Sequence, residues 1–344
     1  MSRILYIHPK NDFTGSTRVL ATELDALYSD EIFDVITAYN NGDGFLTGSN
    51  IRFYNIPFLR YKNSEIPVIT SFVYRISFII KLLLIGYRYD VFYINTLLPF
   101  YASWVARIYN KKIVWHIHEK FINPSKGERL AEFVFNRTKA HRIFVSNYTK
   151  QQYPENQYSS SEIKYNRLTQ KYIDNVEFTP IKDRTRNKVI MISSLTINKG
   201  IDTFIDVSKL LTDLSFTLIL SANKETIDNF LSTYNLPSNI VVLPAVSNIQ
   251  PYLKQADLLL SLTNSKYSIE TFGMTILEAM PYGIPAIVPN IGGPTEIIEH
   301  GFNGYCINTS KPEIVKEYIL LALMHDNYTY LASNAQKRFY EKFQ

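Results

Sequence analysis

The amino-acid sequence predicts an α/β protein of two doubly wound domains, each with a parallel β-sheet covered by helices on both faces. Its 344 residues, 46% of them hydrophobic, exceed the size at which one hydrophobic core usually stops growing. Apolar strand-like runs alternate with amphipathic segments, which is typical of parallel strands buried on both faces. This alternation stops once, near the middle of the chain, and then begins again. Two separate sheets are therefore expected.

The first domain is predicted over residues 1–167. It contains six strand candidates with candidate helices between them. These strands are RILYIH (3–8), FDVITAY (33–39), IRFYNI (51–56), DVFYIN (90–95), KIVWHIH (112–118) and RIFVSN (142–147). Residues 168–188 are polar and charged and lack sustained periodicity, so we predict a linker there.

The second domain is predicted over residues 189–325, where the alternation resumes. Six more strand candidates are each followed by a helical or turn pattern. They are VIMISSL (189–195), FTLILSA (216–222), NIVVLPAV (239–246), DLLLSLT (257–263), IPAIVP (284–289) and YCIN (305–308). Residues 326–344 have helical character, and we expect this C-terminal helix to pack back on the first domain.

Composition and charge restrict the compartment and the partners. A single cysteine, Cys306, excludes an intramolecular disulfide, and the N-terminus MSRILYIHPK resembles a core strand more than a signal peptide, so a cytoplasmic location is expected. The net charge of +5 is uneven: residues 1–170 have 21 Lys and Arg against 14 Asp and Glu (+7), and residues 171–344 have 15 against 17 (−2). The basic residues are scattered, which argues against nucleic-acid binding, while the asymmetry suits an anionic membrane surface or a phosphorylated ligand.

Residues 66–90 form a very apolar stretch that Arg75, Lys81 and Arg88 interrupt. These charges argue against a transmembrane span. Lys81 and Arg88 are one heptad apart and would share a helix face, so a basic amphipathic helix at the inner face of the cell membrane is one interpretation. The other is an ordinary crossover helix with solvated charges.

A ligand site is predicted at the start of the helix that follows strand 257–263. The helical pattern begins near Phe272 and ends at Gly283, which is a good C-cap. Ligands of open α/β sheets bind at the carboxyl ends of strands, and the unpaired N–H groups near Phe272, Gly273 and Met274 favour an anion there.

Two carboxylates, Glu270 and Glu278, bracket this helix start. If the eight intervening positions are largely helical they rise roughly 12 Å, about the span from a ribose across a pyrophosphate to a transferred sugar. Each carboxylate can accept hydrogen bonds from two adjacent hydroxyls. The alternatives are a solvated helix residue for Glu278 and a helix-dipole partner for Glu270.

The segment from 270 to 304 resembles the donor-binding signature of retaining glycosyltransferase family 4, the glycosyl transferases group 1. The resemblance depends on the Glu270 to Glu278 spacing (E-x7-E) and on the motifs ETFGM, ILEAM and GGPTE, and it can be followed over nearly the whole chain. It implies the GT-B fold, in which two Rossmann-like domains face each other across a cleft. It also implies that Glu278 accepts the ribose hydroxyls, that Glu270 holds the transferred sugar, and that the amides of residues 272–274 face phosphate or sugar oxygens.

Two upstream segments match the family's phosphate-binding positions with departures. SSLTINKG (193–200) places Lys199 beside the pyrophosphate, where a cation stabilises the leaving diphosphate, but Ser194 replaces the usual arginine. NDFTGSTR (11–18) occupies the position of the glycine-rich loop, with Gly15 and the amides of Ser16 and Thr17 opening a helix. Only one glycine of the usual pair is present. Arg18 is a candidate for the missing positive charge.

Candidate residues on the sugar and acceptor side lie at strand ends of the first domain. His116 and His118 alternate with strand period and would point to the same side; His118 and Glu119 fit the family's His-acid position beside the transferred sugar. A metal site at the histidine pair is disfavoured because no Cys or further His cluster accompanies it. Further candidates for acceptor contacts are Asn95, Ser146 and Asn166.

The expected function is retaining transfer of a sugar, of the hexosyltransferase type, from a UDP- or GDP-sugar to a hydroxyl acceptor. Glu270, His118 and Lys199 are the expected catalytic residues. No metal or other cofactor is expected, because no Asp-x-Asp motif occurs. A lipid-linked glycan of bacterial surface polysaccharide biosynthesis is the expected acceptor, with peripheral membrane contact. The alternatives are a nucleotide-sugar epimerase or phosphorylase on the same fold, and a degenerate transferase that serves as a non-catalytic partner subunit.

Overall fold

The structure, a computed structural model, describes residues 2–12, 14–27, 32–38, 44–46, 50–56, 67–177 and 179–344. The chain divides into two compact units, Met1–Tyr165 and Asn166–Gln344. Each unit has its own parallel sheet and its own hydrophobic core. The predicted α/β class with two doubly wound domains is confirmed.

The sheet of the first unit has seven parallel strands in the order β3-β2-β1-β4-β5-β6-β7. The strands are β1 (Ile4–Lys10), β2 (Phe33–Ala38), β3 (Ile51–Ile56), β4 (Val91–Asn95), β5 (Lys112–Ile117), β6 (His141–Phe144) and β7 (Ser160–Ile163). The first six coincide with the predicted strands, although Tyr39 at the end of one prediction lies outside the described residues. The edge strand β7 escaped prediction because its four residues, SSEI, are all exposed and carry no apolar pattern.

Helices cover the sheet of the first unit. They are α1 (Gly15–Leu27), α2 (Pro67–Ile85), α3 (Ala102–Ile108), α4 (Lys126–Arg137) and α5 (Asn147–Gln151). The aromatic core beneath them includes Trp115, whose ring is fully buried and whose Nε1 donates to the Thr96 carbonyl oxygen at 2.8 Å. No helix of the described ranges is both long and apolar enough to cross a membrane.

The sheet of the second unit has six parallel strands in the order β10-β9-β8-β11-β12-β13. The strands are β8 (Lys188–Ser193), β9 (Ser215–Leu220), β10 (Ile240–Leu243), β11 (Leu258–Leu260), β12 (Ala286–Pro289) and β13 (Gly304–Ile307). The helices are α6 (Gln170–Asp174), α7 (Ile201–Leu210), α8 (Lys224–Leu231), α9 (Gln250–Leu253), α10 (Met274–Ala279), α11 (Pro294–Ile297), α12 (Pro312–Leu323) and α13 (His325–Lys342). All six predicted strands are present.

The segment predicted as a linker, residues 168–188, packs on the second unit. The buried guanidinium of Arg184 donates to the carbonyl oxygens of Ala256, at 2.9 Å, and Tyr282, and to the hydroxyl of Tyr328 at 3.1 Å. A single buried cation with several acceptors holds a segment that has no apolar periodicity.

The predicted C-terminal helix is present as α13. Its recorded contacts belong to the second unit: Gln336 donates to the Pro281 carbonyl oxygen at 3.1 Å, and Arg338 forms an ion pair with Glu299 at 2.9 Å. Packing of this helix on the first domain stays a prediction.

Strand order reverses between β1 and β4 in the first sheet and between β8 and β11 in the second. Loops on either side of such a reversal diverge and leave a crevice at the carboxyl ends of the strands, where ligands of open α/β sheets bind. A ligand site is therefore expected at each of the two strand-order reversals.

Candidate active site

Three loops of the second unit pack together at the carboxyl ends of β8, β11 and β12. The amide of Asn264 donates to the Asn198 carbonyl oxygen at 2.9 Å, and the amide of Gly293 donates to the Glu270 carbonyl oxygen at 2.9 Å. A Cβ on Gly293 would overlap the Thr271 carbonyl oxygen, so only glycine allows this approach. The loop contacts bring sequence-distant site residues to one place.

Lys199 and Glu270 are brought into direct contact. The Lys199 Nζ lies 2.6 Å from Glu270 Oε2, and each side chain is 26% exposed. The turn that contains Lys199 ends at Gly200, which has a φ of 76° and lies against the Leu262 carbonyl. An ion pair that is partly shielded from water is stronger than a fully solvated one. Two residues that the sequence analysis predicted as donor-binding thus form one charged centre beside the strand-order reversal.

Glu278, for which a solvated position was the alternative, is enclosed by the protein. It is fully buried in α10, so the interpretation of a solvated helix residue is wrong. Its carbonyl oxygen accepts from the Tyr172 hydroxyl at 3.1 Å. Removing a carboxylate from water is costly, so a fully buried glutamate is uncommon at a helix position.

The start of α10 lies two residues later than predicted. Gly273 takes a φ of 115° and caps the helix, which begins at Met274. The residues from Glu270 to Gly273 are therefore not helical, and the roughly 12 Å helical rise between the two glutamates does not apply. The predicted C-cap is confirmed, because Gly283 has a φ of 67° in the left-handed region.

Two other residues predicted for the donor site, Phe272 and Ser194, have structural roles. Phe272 is buried, and its ring lies edge-on to that of Phe343 in the same unit, with centroids 6.4 Å apart. Ser194 is exposed, and its carbonyl oxygen accepts from the Thr196 amide at 2.9 Å. Ser194 therefore forms part of a turn and supplies no positive charge.

A polar cluster occupies the strand-order reversal of the first unit. Asn95 ends β4 and is fully buried. Its Oδ1 lies 2.7 Å from His118 Nε2, its Nδ2 lies 2.8 Å from His8 Nδ1, and the same Nδ2 donates to the Ser16 carbonyl oxygen at 3.1 Å. Ser16 follows Gly15, the first residue of α1, as predicted. Asn95 and His118 are thus joined, as expected of residues at neighbouring strand ends.

Glu119 links two loops at the same edge of the first sheet. Its carboxylate accepts from the Leu97 amide at 2.6 Å and from the His118 amide at 3.2 Å. Burial raises the pKa of Glu119 to about 7. This carboxyl group holds the two loops together and titrates near neutral pH.

His116, in β5, and His118, just after the end of β5, lie side by side. Their ring centroids are 4.2 Å apart. His116 is buried, its Nδ1 lies 2.9 Å from the Tyr93 hydroxyl, and burial lowers its pKa to about 3. Burial also lowers the pKa of His118, well below its usual value. Within the described ranges, no group of three or more His, Cys, Asp or Glu residues could hold a metal ion.

Too much weight was given to one residue, Ser146, in the sequence analysis, and two others, His8 and Asp12, were missed. Ser146 is buried and caps α5 by accepting from the Thr149 amide at 3.0 Å, which explains it without a ligand. Asn166 is also buried. His8 and Asp12, which sequence reasoning missed, join the polar cluster. The signals were a histidine near the end of the first strand and an acid shortly before the helix.

The second unit matches a family model of known proteins. Residues 173–339 match the family model described as Glycosyl transferases group 1. An uncharacterized glycosyltransferase of Methanocaldococcus jannaschii is 28% identical over 225 residues, 64% of this chain and 60% of that protein. N-acetyl-alpha-D-glucosaminyl L-malate synthase of Bacillus anthracis is 27% identical over 140 residues, 40% of this chain and 36% of that protein. The matches thus span less than two thirds of these relatives.

Solved structures resemble the whole chain. Anabaena HepE in complex with UDP and glucose has a TM-score of 0.80 and 18% identity, covering 100% of this chain and 96% of that one. Sucrose-phosphate synthase from Thermosynechococcus elongatus has a TM-score of 0.77 and 15% identity, covering 100% and 95%. At such low identity these likenesses show the fold.

Proposed function

We propose that this chain, which belongs to the glycosyl transferases group 1 family and has the GT-B fold, moves a sugar from a nucleoside diphosphate sugar to a hydroxyl acceptor. The contact between Lys199 and Glu270 is the observation that carries the proposal. It joins a cation suited to a diphosphate and a carboxylate suited to sugar hydroxyls, at the strand-order reversal where ligands of such sheets bind.

The ion pair defines complementary roles during the reaction. The diphosphate of the donor competes with Glu270 for the Lys199 ammonium, which then stabilises the charge that develops on the leaving group. Glu270, released from Lys199, accepts hydrogen bonds from adjacent hydroxyls of the sugar. Glu278 is assigned the ribose hydroxyls, and because it is fully buried, donor binding must uncover it. The amides at the start of α10 add hydrogen-bond donors for phosphate or sugar oxygens.

Finer features of the reaction follow from the family resemblance. Transfer is proposed to retain the anomeric configuration and to need no metal, because Lys199 and helix-end amides supply the charge stabilisation that a divalent cation provides in other enzymes. UDP is the preferred nucleotide of the proposal, since HepE, which has a similar fold, was solved with UDP and glucose. GDP is the second choice.

The acceptor is proposed to be a lipid-linked glycan at the inner face of the cell membrane. Four apolar side chains recur at every fourth position of α2, namely Phe72, Ile76, Ile80 and Leu84, and they are between 40% and 63% exposed. Helix α3 packs against α2 and exposes Trp104 and Ile108. We call these six residues the apolar surface.

The charge around the apolar surface matches an anionic bilayer. Between Pro67 and Lys112 the chain has six Lys and Arg residues and a single acidic residue, Asp90. Exposed apolar side chains with flanking cations are the pattern of a helix that lies in a membrane interface. This pattern favours the membrane over the alternative of an ordinary solvated crossover helix.

A panel of UDP-, GDP- and ADP-sugars tests the proposal. Thermal stabilisation would identify the donor, and nucleotide release with and without EDTA would then report hydrolysis or transfer. We expect one nucleotide sugar to raise the unfolding temperature of the protein. Release of its nucleotide is expected to be the same with and without EDTA. Binding without turnover on any hydroxyl acceptor would instead favour the degenerate partner subunit, which the exposed Ser194 in place of a cation keeps as the second candidate.

A further inference from the structure

The polar cluster of the first unit contains a chain of hydrogen bonds whose directions can be deduced. Its fixed point is the Asn95 amide. The Asn95 atom 3.1 Å from the Ser16 carbonyl oxygen must be the nitrogen, because a carbonyl oxygen only accepts. The same nitrogen donates to His8 Nδ1 at 2.8 Å. His8 Nδ1 is therefore unprotonated, and the proton of the neutral His8 ring resides on Nε2.

The remaining links follow from that assignment. His8 Nε2 donates to Thr17 Oγ1 at 2.9 Å, and Thr17 Oγ1 donates to Asp12 Oδ1 at 2.8 Å. The carboxylate is anchored because the amide and hydroxyl of Thr14 donate to the same Oδ1 at 3.0 and 2.6 Å. The chain thus ends at an acceptor that cannot reverse its direction while it is ionised.

The other side of the Asn95 amide sets the state of His118. Asn95 Oδ1 can only accept, so His118 Nε2, at 2.7 Å, must carry a proton. Burial lowers the pKa of His8 to about 4 and that of His118 well below its usual value, which is consistent with neutral rings. Both nitrogens of His8 and the Nε2 of His118 are then defined by their partners.

We call the residues behind His118 the switch-point chain; they are Asp12, Thr17, His8 and Asn95. We propose that the switch-point chain holds the His118 imidazole as its neutral Nε2–H tautomer and acts on the reaction through it. His8, Asn95 and Thr17 are at most 3% exposed, as expected of positioning residues. In this tautomer Nδ1 is an acceptor and the ring has no charge, so His118 suits a hydroxyl of the substrate and not a phosphate oxygen. The inference that His118 contacts a substrate hydroxyl rests on the proposed function. The assignment of the His118 tautomer does not depend on that function.

The tautomer can be read in the full-length protein without any substrate. Long-range ¹H–¹⁵N spectra of ¹⁵N-histidine-labelled protein at pH 7 distinguish protonated from unprotonated ring nitrogens. His8 and His118 are expected to show a protonated Nε2 and an unprotonated Nδ1. His141, whose ring contacts Ser160 and Glu162 on the edge of the sheet, is the internal reference. A His118 with its proton on Nδ1, or on both nitrogens, would overturn the proposal.

A matched pair at position 17 tests whether the chain controls His118. Thr17→Val keeps the shape and removes the acceptor of the His8 Nε2 proton. If that proton moves to Nδ1, the Asn95 amide can turn only by giving up its hydrogen bond to the Ser16 carbonyl oxygen. The two orientations of the amide then become closer in free energy, and His118 loses part of its Nε2 proton preference. The His118 signals are expected to shift, and kcat to fall on the order of 10²-fold. Thr17→Ser keeps the hydroxyl and is expected to keep the wild-type spectrum and kcat. Unchanged His118 signals in Thr17→Val would contradict the proposal, and if this variant does not fold, the wild-type tautomer decides. Absence of turnover in wild type would count against the proposed function alone.

Discussion

The two strand-order reversals of this molecule hold polar sites of opposite character. The second unit places a charged pair, Lys199 and Glu270, in partial contact with water, on loops that glycines bring together. The first unit places the buried, uncharged side chains of His8, Asn95 and Thr17 in a chain of hydrogen bonds that ends at the Asp12 carboxylate. A diphosphate needs charge, whereas sugar hydroxyls need directed donors and acceptors. Under the proposed function, the second unit handles the leaving group and the first unit positions the groups that react.

Removing the cation of the charged pair is expected to have the largest effect. Lys199→Ala leaves the developing diphosphate charge without its main partner and should lower kcat about 10²- to 10³-fold. Steady-state nucleotide release measures this loss. Lys209→Ala is the matched control, because that ammonium pairs with Asp206 at 2.9 Å on an exposed helix face. If both variants keep wild-type kcat, the charge of the second unit does not serve the leaving group.

The glycines of the two sites should respond differently to the same substitution. Gly293→Ala forces its Cβ against the Thr271 carbonyl, and we expect about 1–3 kcal/mol of destabilisation with weaker donor binding. Gly15→Ala adds a Cβ that meets no atom within 4 Å and should be neutral or slightly stabilising. Thermal unfolding would measure the stability of both variants, and hydrogen exchange over residues 270–298 would report the local effect of Gly293→Ala. Equal effects would remove the steric distinction between the loops.

The pH dependence of stability should reveal the buried titrating groups of the first unit. His8 has a pKa lowered to about 4, so its contribution to stability is present above pH 6.5 and is lost as pH falls through 4. Glu119 has a pKa raised to about 7, so its contribution is present below its unfolded pKa and is lost as pH rises through 7. Between pH 7 and 5 the two effects are about 2 kcal/mol each and opposite in sign.

Glu119→Gln separates these two contributions. Without the titrating carboxyl, the loss of stability from pH 7 to pH 5 should be about 2 kcal/mol larger than in wild type. Urea unfolding followed by tryptophan fluorescence measures it on this unit, because both tryptophans of the chain, Trp104 and Trp115, lie there. Exposed Glu155→Gln should follow the wild-type profile. A Glu119→Gln profile parallel to that of wild type would show that the carboxyl does not titrate as described.

The smallest effect is expected on membrane contact, which should depend on exposed apolar side chains of the first unit and not on those of the second. Phe72→Ser combined with Leu84→Ser removes two exposed apolar side chains and should lower flotation with phosphatidylglycerol vesicles roughly tenfold. The control is Leu320→Ser combined with Met324→Ser, which changes exposed apolar residues of the second unit and should leave flotation unchanged. Equal flotation of all three proteins would remove the support for the apolar surface.

Local sequence patterns predicted the fold well and named both residues of the charged pair. Buried parallel strands are continuous apolar runs, so twelve strands were predicted, and the turn at Gly283 follows from its helix-ending position. Glu270 and Lys199 belong to short motifs, so both could be named before their contact was known. Strand β7 and the packing of Arg184 were missed because exposed strands and single buried cations leave no periodic signal.

The polar cluster of the first unit was only partly predictable for a different physical reason. Asn95 and His118 could be placed at strand ends, but their partner His8 is 87 residues from Asn95 in the sequence. Hydrogen-bond direction depends on which atoms meet in space, which no spacing rule contains. The alternative of a solvated Glu278, which the structure excludes, could not be rejected from the sequence for the same reason, since the sequence around a helix shows its own apolar face and not what covers the rest.

Affinity of the Glu270→Gln variant for free UDP and GDP tests the central claim most directly. Glu270 contacts the Lys199 ammonium in this structure, so Glu270 and an added diphosphate compete for the same cation. Calorimetry should therefore show tighter binding of the preferred free nucleotide to Glu270→Gln than to wild type, together with loss of turnover on its sugar. Weaker nucleotide binding with unchanged turnover would contradict the account of the charged pair as the donor site.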